Sequence, residues 1–149
     1  MKKLTVREFK LSDLDDLEDY VDLDYILRYS LIPLAARAKS ISFCEKKKVI
    51  AVMGAWEMLP HISGVGLIVT PRIQKYPVFF VKEIKKALTI FNAYYDVYKT
   101  YMMVDEREPE LQRWAEFLKF TEEYRMKRIV NKKHDYIGYS IDWSRIGGN

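Results

Sequence analysis

A chain of 149 residues with 49% hydrophobic and 31% charged side chains reads as one soluble globular domain. At this length it buries roughly 70% of its unfolded surface, so neither disulfide nor metal is needed to hold it. A single cysteine, Cys44, excludes an internal bridge and suits a reduced compartment; no apolar run approaches the roughly 20 residues of a membrane span. The start, MKKLTVREF, alternates like a strand and lacks the apolar core of a signal peptide, so a cytoplasmic location without membrane contact is expected. The net charge of +4 is unevenly spread: residues 13–24, DLDDLEDYVDLD, hold seven carboxylates and no base, while RIQK, KEIKK, RMKR and NKKHD collect cations later. Such polarity suits oriented contact with a charged partner.

In chain order, Leu4–Phe9 alternates as a strand. Ser12 followed by Asp15 predicts a capped helix with Leu14, Leu17 and Val21 inward and Asp13, Asp16, Asp19 or Asp24 outward. A second short helix with Tyr25, Ile26 and Tyr29 inward should end before Pro33. LAARAKS stays ambiguous. Ile41–Glu45 and Val49–Met58 predict a hairpin joined by a lysine turn, and LPHISG separates it from a third strand, Val65–Thr70. A helix follows, with Val81, Ile84, Leu88, Phe91 and Tyr95 at helical spacing. Thr100–Val104 reads as a buried strand. DEREPELQRWAEFLKF predicts a helix with acids and Pro109 in its first turn, burying Leu111, Trp114, Ala115 and Leu118. Tyr124–Val130 and Tyr136–Trp143 close the chain as a hairpin, and RIGGN should fray.

The stretch LIVTPRIQKYPVFFVKEIKKAL, Leu67–Leu88, runs from strand through turn to helix. That arrangement gathers unpaired backbone N–H groups and the positive end of a helix dipole at one point, which is how phosphate is bound. Turns of this kind are normally glycine-rich; this one has none. For other chemistry, Cys44 has no His partner in an identifiable pattern and reads as a small buried strand residue. The acidic run lacks the glycine and terminal glutamate of a calcium loop, and with no Cys/His cluster for zinc, no metal site is expected.

The order β-α-α-β-β-β-α-β-α-β-β is similar to that of the GNAT (acetyl-CoA-dependent N-acetyltransferase) superfamily, from Leu4 to about Trp143. The resemblance implies an α/β (α+β) fold with a mixed, splayed central sheet of about seven strands and helices on both faces. Laid on the family's phosphate loop, Val69-Thr70-Pro71 fits the strand end and Gln74 the Arg/Gln position, but Pro77 and Phe79 occupy its two glycine positions. In the last helix Lys119 falls at the family's glycine, Phe120 at its aromatic, Ala115 at the tyrosine that protonates the departing thiolate, and Glu108 near its asparagine. These departures imply a degenerate loop with no cofactor expected. VTPRIQKYPVFFVKEIKKA followed by RWAEFLKFTEEY further resembles small GNAT-like phage proteins, internal virion proteins of short-tailed phages among them. That resemblance implies a role through protein contacts, with a protein partner or a homo-oligomer, in virion assembly or host takeover within the host cytoplasm. The alternative is an active acetyltransferase that binds acetyl-CoA through Val69, Arg72, Gln74 and Lys75, with Glu57 or His61 as general base, although a lone Glu at a strand end and a lone His in a loop are more usually solvated surface groups. Third comes a nucleic-acid-binding accessory role with Tyr124, Tyr136 and Tyr139 as stacking groups.

Overall fold

The computed structural model describes residues 4–19, 39–130 and 132–146. Its strands are β1 (Leu4–Glu8), β2 (Lys39–Glu45), β3 (Lys48–Leu59), β4 (Ile62–Val69), β5 (Lys99–Asp105), β6 (Thr121–Val130) and β7 (His134–Asp142). They form one mixed sheet in the order β1-β2-β3-β4-β5-β7-β6. Helix α1 (Pro77–Tyr94) joins β4 to β5, and helix α2 (Pro109–Phe117) joins β5 to β6. The β4–β5 pair is parallel, from Ile62↔Lys99 to Val65↔Met102, and the long crossover through α1 is what a parallel pair requires. The expected second helix around Tyr25–Tyr29, with Val21 and Asp24, and the end of RIGGN lie outside the described residues; Trp143–Ile146 forms a single helical turn.

The chain groups into two compact units, Met1–Trp56 with Gly66–Leu88, and Glu57–Val65 with Thr89–Asn149. In the first, Leu14, Leu17, Cys44, Val49, Val52 and Ile68 form a buried cluster with Phe9 and Trp56 against it. The Phe80 ring of α1 meets Phe43 of β2 edge-on at 4.7 Å. In the second, Met102 and Val104 of β5, Trp114 and Ala115 of α2, and Ile137 and Ile141 of β7 are buried. Cys44 is buried and unbridged, and burial pushes its thiol pKa up, so it behaves as a small strand hydrophobe.

Three expectations are corrected. β4 begins at Ile62 rather than Val65, because Pro60 and His61 alone close the β3–β4 turn, His61 taking the left-handed conformation at φ 68°. The first helix is a 3-10 segment, Leu11–Leu17, entered from Lys10 rather than capped by Ser12. Two of its three carboxylates turn inward, while Asp15 is exposed, as is Asp19 just beyond it. Asp13 is only 4% exposed and accepts from Arg7 Nη1 and Nη2 at 2.9 and 2.7 Å, from the Lys10 N–H at 2.9 Å and from the Ser42 hydroxyl at 2.7 Å. Asp16 accepts from the Val49 N–H at 2.9 Å. An acid buried this way is satisfied by four donors and is not an interface charge. Third, the tyrosines of the final hairpin do not form one stacking platform. Tyr124 lies over Gly138, whose added Cβ would come within 2.4 Å of the ring, while Tyr139, the next residue along β7, points to the opposite face and is buried.

Helix α2 ends as the sequence alignment implies a glycine should end it. Lys119 has φ 72°; its N–H donates to Glu116 O at 2.9 Å and the Phe120 N–H to Ala115 O at 3.0 Å. These are the paired bonds of a Schellman cap, whose left-handed residue is usually glycine. Lys119→Gly should therefore stabilise the protein by about 0.5–1 kcal/mol, the relief of Cβ strain exceeding the added unfolded-state entropy. Urea unfolding checks this: a midpoint unchanged or lowered would show the strain to be negligible.

Candidate functional site: the turn from β4 into α1

β4 ends at Val69, and the next residue is pinned. Thr70 donates to Ile50 O twice, from its N–H at 3.1 Å and from Oγ1 at 2.8 Å. Pro71 then opens a 3-10 turn, Pro71–Lys75, for which its fixed φ is preset. Ile73 is fully buried and plugs the turn into the core. The Ile73 N–H donates to Thr70 O and the Tyr76 N–H to Ile73 O. No residue from Thr70 to Phe79 has a positive φ. The chain thus passes from strand to helix by a path that never needs glycine, and the missing glycines carry no conformational penalty here.

Pro77 is the first residue of α1. At that position its lack of an N–H removes no helical bond. Phe80 N–H donates back to Tyr76 O at 2.9 Å, which leaves the N–H groups of Val78 and Phe79 as first-turn donors without an intrahelical acceptor. The Val78 side chain is 80% exposed, so this end of the helix is open, and Gln74 and Lys75 beside it are exposed as well. Two amide donors, a helix dipole, an amide side chain and an ammonium suit a diphosphate, with fewer backbone donors than a glycine-rich loop provides. The residues present fit the group.

Arg72 is differently employed. Its Nε and Nη2 donate to Glu45 Oε1 at 2.9 and 2.5 Å, and the Tyr76 hydroxyl donates to Glu45 Oε2. Glu45, at the end of β2 and 11% exposed at its side chain, therefore ties two residues of the turn to the hairpin. Its carboxylate raises the Tyr76 phenol above the usual range. The sequence missed Glu45 because its partners lie 27 and 31 residues away; an acid at a hairpin end facing a basic turn was the available signal.

Glu57 is exposed on β3. His61 is in the turn before β4, at the opposite end of that strand from Thr70–Lys75. Its Nδ1 is 2.9 Å from Asp96 O, and since a carbonyl only accepts, Nδ1 carries the proton and Nε2 of the neutral ring has the free lone pair. Ala115 is buried in α2 and has no acidic group. Among the described residues no group of three or more His, Cys, Asp or Glu is placed to hold a metal, and no helix is long and apolar enough to cross a membrane.

No protein-family model and no curated protein matches the sequence. Solved structures do match. Spermidine N-acetyltransferase SpeG from Vibrio cholerae, in complex with CoA and spermine, aligns with a TM-score of 0.66 at 18% identity over 97% of this chain and 98% of that one. An acetyltransferase of the GNAT family from Bacillus anthracis aligns with a TM-score of 0.68 at 12% identity over 97% and 98%. This chain has the GNAT fold. A dodecameric form of the Vibrio enzyme aligns equally, with a TM-score of 0.66 at 17% identity over 96% of this chain and 95% of that one. At these identities the likeness is one of fold.

Proposed function

We propose that this protein is an acetyl-CoA-dependent N-acetyltransferase acting on an amine. The observation that carries the reading is the turn from β4 into α1. Within a GNAT fold it keeps an open helix N-terminus with exposed Gln74 and Lys75, without needing the glycines whose absence otherwise argues against cofactor binding. The N–H groups of Val78 and Phe79, with Gln74 and Lys75, would hold the diphosphate, and Arg72, fixed by Glu45, would shape the turn. Beyond Val65, where the β4–β5 ladder ends, the backbone of β4 up to Val69 offers amide groups to an extended pantetheine arm. Acetyl-CoA supplies an activated acyl group as a thioester.

An acceptor ammonium must lose a proton before its nitrogen has a lone pair to attack the carbonyl, forming C–N as C–S breaks. The Glu57 carboxylate, or His61 Nε2 in its place, is the base this reading assigns to that proton. With Ala115 at the family's tyrosine position, no side chain there protonates the departing thiolate, and the second proton that the nitrogen sheds as the amide forms reaches it through water. A thiolate is a good enough leaving group to depart without prior protonation, so turnover is slowed rather than abolished. Of the acids expected to face a basic partner, Asp13 and Asp16 are engaged internally, whereas Asp19 is exposed as expected.

The test is CoA-thiol release from acetyl-CoA with a panel of amines, including spermidine, a lysine peptide and a free peptide N-terminus. Release that depends on at least one amine and falls in the double variant Glu57→Gln/His61→Asn is expected. Thiol release no faster than without amine, across the panel, contradicts the reading.

A further inference from the structure

The cations around this turn are not equivalent. Arg72 is neutralised by Glu45. Glu45 is followed directly by Lys46, Lys47 and Lys48, all exposed, where Lys46 and Lys47 form the turn between β2 and β3. Among the described residues none of these lysines has a carboxylate at ion-pair distance, whereas Arg7, Lys99, Arg107, Arg113 and Arg125 each do. The Glu45 contacts with Arg72 and Tyr76 bind the lysine turn to the strand–helix turn, and the Thr70 bonds to Ile50 place the start of β3 beside it. With strands spaced about 4.8 Å apart, the end of β2 lies about 10 Å across the sheet from the end of β4.

Lys75 is exposed on the β4 side of this gap. The result is a patch of unneutralised ammonium groups next to the proposed diphosphate site, tied there by the half-buried Glu45 carboxylate. Ammonium groups bind phosphate as point charges, without the orientation a guanidinium fork demands. That suits a phosphate on a jointed ribose better than one in a fixed cradle.

Resting on the acetyl-CoA reading, we propose that Lys46, Lys47 and Lys48 recognise the ribose 3′-phosphate of CoA and make the protein select CoA over its 3′-dephospho form. A ribose 3′-monophosphate carries about −1.5 to −2 charges at neutral pH, and a turn with three exposed ammonium groups favours it over the hydroxyl it replaces. The diphosphate, held by α1 and Lys75, is common to both ligands and does not discriminate.

The experiment is calorimetric titration of the full chain with CoA and with 3′-dephospho-CoA at low and raised salt. The parent protein is compared with a Lys46→Asn/Lys47→Gln/Lys48→Gln variant; asparagine at 46 tolerates the left-handed φ of 59° there. The parent should bind CoA about tenfold more tightly than the dephospho form at low salt, with the ratio shrinking as salt rises. In the variant the ratio should collapse to within about twofold through loss of CoA affinity alone. Equal parental affinity for both ligands overturns this inference and leaves the acetyl-CoA reading standing, as does a variant that weakens both ligands equally. Binding of neither ligand by the parent overturns both.

Discussion

Replacing Asp13 by alanine should cost the protein about 3 kcal/mol of stability, because it removes one partner of a buried ion pair and leaves the others unsatisfied. The Arg7 guanidinium is 37% exposed and regains water, which holds the loss near the lower end of the range for such pairs. The Ser42 hydroxyl is fully buried and does not. Urea unfolding should show a lowered midpoint with an unchanged slope. The same group sets an acid limb. Burial pushes the Asp13 carboxyl pKa up, but the bonds from Arg7, the Lys10 N–H and Ser42 outweigh it and bring it from 3.8 to about 2. A depressed folded-state pKa contributes stability that is complete above the unfolded value and is lost as pH falls through the folded one. The parent should therefore lose about 2 kcal/mol between about pH 4 and pH 2 that the Asp13→Ala variant does not lose. Parallel stability–pH curves for the two proteins would show that the network does not hold Asp13 ionised.

Val78→Asp should separate the helix from its ligand. The side chain is exposed, so no core contact is lost, and a carboxylate in the first turn of α1 favours the helix by about 0.3–1 kcal/mol through the dipole. The melting temperature should hold or rise. The same charge stands where the diphosphate is proposed to sit, and acetyl-CoA affinity should fall by at least about tenfold. Val78→Asn, similar in size and uncharged, should retain most of it. If Val78→Asp binds acetyl-CoA as the parent does, the phosphates are not held at this helix end.

The sequence made the parts governed by local period legible. In α1 the predicted residues Ile84, Leu88 and Phe91 are buried, and Pro109 opens α2 as its first residue. The hairpin of β2 and β3 and the pair β6 and β7 lie where alternation puts them. What it hid depends on pairing across the sheet. Every carboxylate of DLDDLEDYVDLD looks alike in one dimension; Asp13 differs because the β1–β2 register sets Arg7 opposite Ser42, supplying two donors at one point. The early start of β4 was masked because His61 takes a left-handed φ without the glycine or asparagine that usually signals one. Gln74 and Lys75, singled out from the strand–turn–helix order, are exposed beside the start of α1. Pro77 still offers no N–H to a ligand, but the 3-10 turn anchored by Ile73 reaches α1 without the positive φ for which glycine is used.

Calorimetric titration of the parent protein with acetyl-CoA tests the central claim most directly. Saturable binding at one site per chain, with micromolar affinity that weakens in Gln74→Ala/Lys75→Ala and in Val78→Asp but not in Val78→Asn, is the predicted result. An absence of binding by the correctly folded parent at millimolar acetyl-CoA would contradict it.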